Sequence, residues 1–152
     1  MIEVVYFSRT GNTKKVAEAM AAELKVTAKD VKTAGVLPAD AFILMGTGCY
    51  GATLPKEITA FMKKNSFRGR IMGLFTTSAF GSAAERGLIE KQITERGAII
   101  THNFKCYGRF LTAKKAHPTA EELEKAKQFA RMVAITMFPG KKENTKKANV
   151  NR

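Results

Sequence analysis

The sequence predicts an α/β domain, a five-stranded parallel sheet with helices on both faces, on three observations. Short β-branched and aromatic runs alternate along the chain with stretches whose apolar residues recur every three or four positions. The run Ala41-Phe42-Ile43-Leu44-Met45 is apolar throughout, as a central parallel strand covered on both faces requires. The turn after the first strand carries hydroxyls, an amide and one glycine. A ligand loop at that point goes with right-handed crossovers and the strand order 2-1-3-4-5, whose switch point lies there.

The first strand occupies residues 2–7. From Thr13 onward Val16, Met20 and Leu24 recur every fourth residue, so the first helix buries one face. Between them Ser8-Arg9-Thr10-Gly11-Asn12-Thr13 is a strand-to-helix turn. N–H groups at a helix start carry the positive end of the macrodipole, and a turn held open by Gly11 can aim several of them at one anion. Ser8, Thr10 and Thr13 add hydroxyl donors. Many neutral donors around one point suit a phosphate monoester and need no metal. The glycine and lysine signatures of P-loops and of dinucleotide folds are missing. So is the arginine that a cysteine phosphatase places after its nucleophile: Pro55 and Thr112 stand at that spacing from Cys49 and Cys106. A phospho-acceptor receiver would end its first strand in carboxylates, and here Tyr6 and Phe7 stand instead.

Lys25–Val31 holds a short second strand, and Gly35–Asp40 a loop around Pro38. After Met45, the stretch from Gly46 to Ala52 is expected to be a loop with three glycines and one exposed aromatic, Tyr50. Pro55 stands where a first helical position would be, and Ile58, Phe61 and Met62 form that second helix's buried stripe. Arg70–Thr76 is the fourth strand, with Thr77–Gly81 as the loop after it. Ala84, Leu88, Ile89 and Ile93 mark the third helix, closed by Gly97. Ala98–Phe104 is the fifth strand, leading into a long connection through Cys106, Tyr107 and Pro118. Thr119 and Glu122 form a capping box for a last helix that buries Leu123, Ala126, Ala130, Val133 and Met137.

With 152 residues and 45% hydrophobic content, one domain with a sizeable core is expected, spanning residues 1–138. From Lys141 to Arg152 there are five basic residues and one acid, so residues 139–152 are expected to be a basic, disordered tail. No apolar run reaches membrane-spanning length and no leader pattern opens the chain, so a cytoplasmic location is expected. Two cysteines, both placed in loops, make no disulfide framework. His102 and His117 lack partners at ligand spacing, so no metal site is expected and both are read as structural. Met20, Met45, Met62, Met72, Met132 and Met137 are read as core filler. No catalytic constellation is visible. The formal net charge of +13 favours an acidic partner or an anionic small molecule. Without aromatics interleaved among the basic residues, nucleic acid is not an expected partner.

Ser8-Arg9-Thr10-Gly11-Asn12-Thr13, directly after the first strand, resembles the S/T-x-T-G-x-T phosphate loop of flavodoxins. In architecture the resemblance runs through residue 137. It implies a flavodoxin-like three-layer sandwich, the fold in which ligands at this switch point are best known, with FMN as cofactor. Its ribityl phosphate would sit on Ser8, Arg9, Thr10, Gly11, Asn12 and Thr13. The isoalloxazine ring would be flanked by Thr47, Gly48, Cys49, Tyr50 and Gly51 after strand three and by Thr77, Ser78, Phe80 and Gly81 after strand four. Tyr50 stands where the family commonly carries Trp or Tyr, and an aromatic there stacks on a flat amphipathic ring. Backbone groups of Gly48, Gly51, Thr77 and Ser78 are candidates for the ring's polar edge. Gly46, Gly48, Gly51 and Gly81 are candidates for a peptide that flips with redox state.

The function implied is electron transfer, one or two electrons at a time, to a redox partner protein, an acidic one in view of the charge. An alternative is an FMN-dependent reductase that uses the connection after strand five, with Cys106, Tyr107, Lys114 and Lys115, to hold a small anionic organic substrate. A linear tetrapyrrole would be one such substrate, and a helper of such a reductase is a related reading. A third is a module that keeps the loop for another phosphate. The flavodoxin family is usually acidic, and its low-potential members place carboxylates around the ring. Thr47–Leu54 and Thr76–Ser82 contain none, so a less negative potential for the fully reduced cofactor is expected.

Overall fold

The apolar run before Ser8 is an interior strand with a partner on each side. In the computed structural model, which describes residues 1–78, 83–107 and 117–140, it forms β1, Ile2–Tyr6. There follow α1 (Asn12–Leu24), β2 (Ala28–Asp30), β3 (Phe42–Gly48), α2 (Lys56–Asn65), β4 (Ile71–Ser78), α3 (Ala83–Thr94), β5 (Ile99–Tyr107) and α4 (Ala120–Met137). All neighbours pair in parallel and the order is β2-β1-β3-β4-β5, as expected. Tyr6 lies opposite Gly46, Gly48 opposite Thr77, and Thr77 opposite Cys106, so four strands end on one rim.

Alternation along the strands divides the core into two layers. Val5, Ile43, Met45, Met72 and Leu74 meet Ile58, Phe61 and Met62 of α2 and Ile89 and Ile93 of α3. On the other face Val4, Leu44 and Phe75 meet Val16 and Met20 of α1 and Ala126, Phe129, Ala130 and Val133 of α4. Each fully buried side chain of this size contributes about 2 kcal/mol by leaving water. At the N-terminus of α4 the capping box forms as expected: Glu122 N–H donates to Thr119 Oγ1 at 3.2 Å and Thr119 N–H to Glu122 Oε2 at 2.6 Å.

Several boundaries and burials differ from expectation. β3, β4 and β5 each run further than their apolar stretches, through Gly48, Ser78 and Tyr107, because ladder bonds continue across small and polar residues. Cys106 therefore lies buried in a strand and not in a loop. Pro55 has ψ 141° and sits just before α2 as its N-cap. Ala84 and Leu88 are exposed, because α3 turns only Ile89 and Ile93 to the sheet. Met132 is exposed as well, and Phe129, not picked out from the sequence, packs beside β5's Phe104 with centroids 5.3 Å apart. Residues 141–152, most of the expected basic tail, lie outside the described residues. Among those described, no helix is long and apolar enough to cross a membrane.

Candidate functional site

The turn between β1 and α1 takes the shape that its glycine permits. Gly11, at the N-cap of α1, has φ +88°, a region that L side chains rarely adopt, and no side chain caps the helix. The first N–H groups of α1 thus begin at a residue that cannot cap them, while Asn12 and Thr13 are buried behind it. Gly11 N–H donates to Ser8 Oγ at 3.0 Å, and Asn12 Nδ2 to Thr10 Oγ1 at 3.1 Å. These bonds hold the loop's curvature without exhausting it, since a hydroxyl that accepts one bond still has its own proton to donate.

Two contacts tie this loop to the neighbouring strand ends. Thr13 Oγ1 and Thr77 Oγ1 lie 2.7 Å apart, joining α1 to the end of β4 across the rim. From the other side, Arg9 N–H donates to the Tyr50 hydroxyl at 3.0 Å, and the Arg9 guanidinium carbon sits 4.3 Å from the Tyr50 ring centroid. Phe7 meets the same ring edge-on, 6.1 Å between centroids. Gly48 is what lets the ring lie there: a Cβ on it would come within 2.4 Å of Tyr50 Cζ.

The segment carrying Tyr50 is held from behind by α3. Ala52 N–H donates to Glu85 Oε1 at 3.0 Å, Gln92 Nε2 donates to Ala52 O at 2.9 Å, and Leu54 N–H donates to Gln92 Oε1 at 3.2 Å. Gly51 and Ala52 both have positive φ, so the segment reverses sharply over two residues. Cys49 N–H donates to Thr77 O at 2.9 Å. Burial, then the nearby Glu85 carboxylate, push the Cys49 thiol up to about 11 against a smaller opposing effect of Arg86. Neither Cys49 nor Cys106 is in a disulfide.

Of the residues picked out from the sequence, Ser8, Arg9, Thr10, Gly11, Asn12 and Thr13 converge with Tyr50 and Thr77 on one end of the sheet. Thr47 is fully buried and donates to Gly48 O at 3.1 Å; Gly48 underlies Tyr50; Cys49 and Gly51 flank it. Ser78 ends β4, while Phe80 and Gly81 lie outside the described residues. Sequence reasoning missed Glu85 and Gln92. The loop after β3 has no acid of its own, yet it receives one from α3. Only the packing of α3 brings Glu85 there. Among the described residues no His, Cys, Asp and Glu gather as metal ligands would.

Such a rim fits a phosphate ester joined to a flat ring. The donor set is neutral hydroxyls and helix-start N–H groups on one side, with an aromatic side chain over a glycine on the other. Residues 3–141 match a family model described as a flavodoxin domain. No curated protein matches the chain in sequence. Among solved structures it is similar to a flavodoxin from the domain Archaea, at 21% identity and TM-score 0.67, covering 89% of this chain and 96% of that one. Oxidised Flavodoxin 2 from Bacillus cereus is similar at 21% identity and TM-score 0.64 (89% and 98% covered). Two-electron reduced Megasphaera elsdenii flavodoxin follows at 19% and 0.60 (87% and 99%). At these identities the three structures establish the fold.

Proposed function

The chain belongs to the flavodoxin family, whose members bind FMN and carry electrons, and from that membership we propose that it binds FMN noncovalently at the Ser8–Thr13 rim and passes electrons to a partner protein. When bound, FMN supplies the one- and two-electron chemistry. The chain's residues bind and orient it. Ser8, Thr10 and Thr13 hydroxyls, with the N–H groups that open α1, receive the phosphate, and Arg9 adds a positive charge at the loop's edge. Tyr50 supplies the stacking face, with backbone groups of Gly48, Gly51, Thr77 and Ser78 toward the ring's polar edge. Thr47 and Cys49 are backing, and Phe80 and Gly81, outside the described residues, remain proposed ring neighbours on the family resemblance alone.

The observation that carries this reading is the uncapped start of α1 at Gly11, linked to β4 through Thr13 and Thr77 and to the segment after β3 through Arg9 and Tyr50. The partner proposed is an acidic redox protein, on charge complementarity with a chain of net charge +13. Titration of the protein with FMN, followed in the visible spectrum and then through stepwise anaerobic reduction, tests the reading. Saturable spectral change is expected. An unchanged free-FMN spectrum at equal protein concentration would overturn it.

A further inference from the structure

At the opposite end of the sheet a second set of positive charges gathers. The run Lys63-Lys64-Asn65-Ser66-Phe67-Arg68-Gly69-Arg70 places four cations in eight residues with no acid among them. It forms the end of α2 and the turn into β4. Arg96, in the turn between α3 and β5, is brought beside it by backbone contact. Gly69 N–H donates to Gly97 O at 2.7 Å, and a Cβ on Gly97 would fall 2.9 Å from Arg68 Cα. That approach leaves Gly97 little room for a side chain and fixes the two arginine-bearing turns against each other.

Between these turns and α2 lies a pocket of about 550 Å3, lined by Thr59, Lys63, Ser66, Phe67, Arg68 and Arg96 among others, none of them acidic. Among the described residues the side chains of Lys63, Ser66 and Arg68 make no hydrogen bond or ion pair. Arg96 spends one nitrogen on Gln92 O, and the neighbouring Arg70 donates to Pro38 O at 3.3 Å. Elsewhere among the described residues Lys14, Lys29, Lys32, Arg86, Lys91, Lys125, Lys127 and Arg131 each have a carboxylate within 4 Å, while Arg9, Lys15, Lys25, Lys56 and Lys105 do not but are spread over separate elements. Glu95, the acid next to Arg96, is paired with Lys91 at 3.9 Å.

We propose that this pocket is a second anion site, which takes a small phosphate monoester. Two guanidinium groups, Arg96's with one nitrogen already on Gln92 O, one ammonium and the two hydroxyls of Thr59 and Ser66 around a single cavity match a dianion with several acceptor oxygens better than a lone carboxylate. The volume falls within the range of small-molecule pockets and leaves room for an organic body beyond the phosphate. Phe67 is only 2% exposed and offers no face for a base to stack on, which argues for a small ester and against a nucleic-acid strand. The ten residues of α2 put about 15 Å between this pole and the rim, so both ends can be filled together.

The test is an amide-resolved NMR titration of the full chain with phenyl phosphate. Saturable shifts are expected at Ser66–Gly69 and at Arg96–Gly97, as a set separate from any at Ser8–Thr13. The doubly substituted Arg68→Gln/Arg96→Gln protein should bind at least about tenfold more weakly at this pole, since each lost group made charge-assisted bonds. Lys125→Gln/Lys127→Gln, which removes equal charge from α4, should leave the affinity unchanged. Retention on vesicles containing phosphatidic acid, also a phosphate monoester, separates the sources. Retention that is lost in the double-arginine variant assigns a lipid headgroup, and phenyl phosphate binding without retention assigns a soluble ester. No shifts at this pole, shifts only at Ser8–Thr13, or equal affinity in the double-arginine variant would each overturn the proposal. FMN titration of the same variants reads the rim independently, so failure at one pole is distinguishable from failure at the other.

Discussion

The Cys49 thiol beside Tyr50 is held in its neutral form. Burial and the Glu85 carboxylate both disfavour a thiolate there. Alkylation of the native protein by iodoacetamide should therefore be slow at pH 8 and approach half its maximal rate only near pH about 11, whereas the unfolded chain reaches half its maximal rate near the ordinary value of 9.0. Fast labelling of Cys49 at pH 8 would contradict this. Glu85 brings a carboxylate to a loop whose own sequence has none. On the flavin reading, Glu85→Gln should raise the potential of the fully reduced cofactor by some tens of millivolts, measured by equilibration with a reference dye. An unshifted potential would mean that Glu85 is too far away or too well solvated to matter. The turn between β1 and α1 could be read from six consecutive residues because turn chemistry is local. Glu85 and Gln92 could not, since their role depends on where α3 packs. The position of the Tyr50 ring depends in the same way on the space at Gly48.

The capping box of α4 shows what a short sequence signal can fix. Burial alone would push the Glu122 carboxyl up, but bonds from Thr119 N–H and His117, with the histidine's charge, leave it below its ordinary 4.5. A carboxyl whose folded pKa is depressed stabilises the fold fully above its unfolded value, and the contribution disappears as pH falls through the lower, folded value. Urea denaturation should thus show wild type losing more stability than Glu122→Gln as pH drops from 5 toward 3, with the variant weaker by about 1 kcal/mol at pH 7. Parallel pH profiles would assign the cap no such role. Thr119 and Glu122 were legible because both partners lie within one turn. The ends of β3, β4 and β5 were not, since a strand lasts as long as its neighbour offers hydrogen bonds, whatever the side chains. Leu88 misled for a related reason: a helix that rests on the sheet by one narrow edge need bury only Ile89 and Ile93.

Over the whole molecule, the alternation of strand and helix was enough to give layers and strand order, because right-handed crossovers leave few ways to assemble them. Charge is less evenly handled. Eight of the described lysines and arginines have a carboxylate within 4 Å, and of those without one, half lie at Lys63–Arg70 with Arg96. If the net +13 steers an acidic redox partner, the second-order rate of electron transfer should fall severalfold between low salt and about 0.1 M, where the Debye length is near 10 Å. Stopped-flow mixing over that range tests this, and a flat salt profile would leave the charge no part in encounter.

Tyr50 makes the rim a contest for one donor. On the flavin reading its hydroxyl, which accepts the Arg9 N–H, is the incumbent that an incoming phosphate oxygen displaces. Riboflavin, which lacks the phosphate, has nothing with which to dislodge the tyrosine. Tyr50→Phe should consequently tighten FMN binding severalfold and riboflavin binding by less, widening the margin between the two flavins in paired fluorescence titrations, and an unchanged margin would give the hydroxyl no such role.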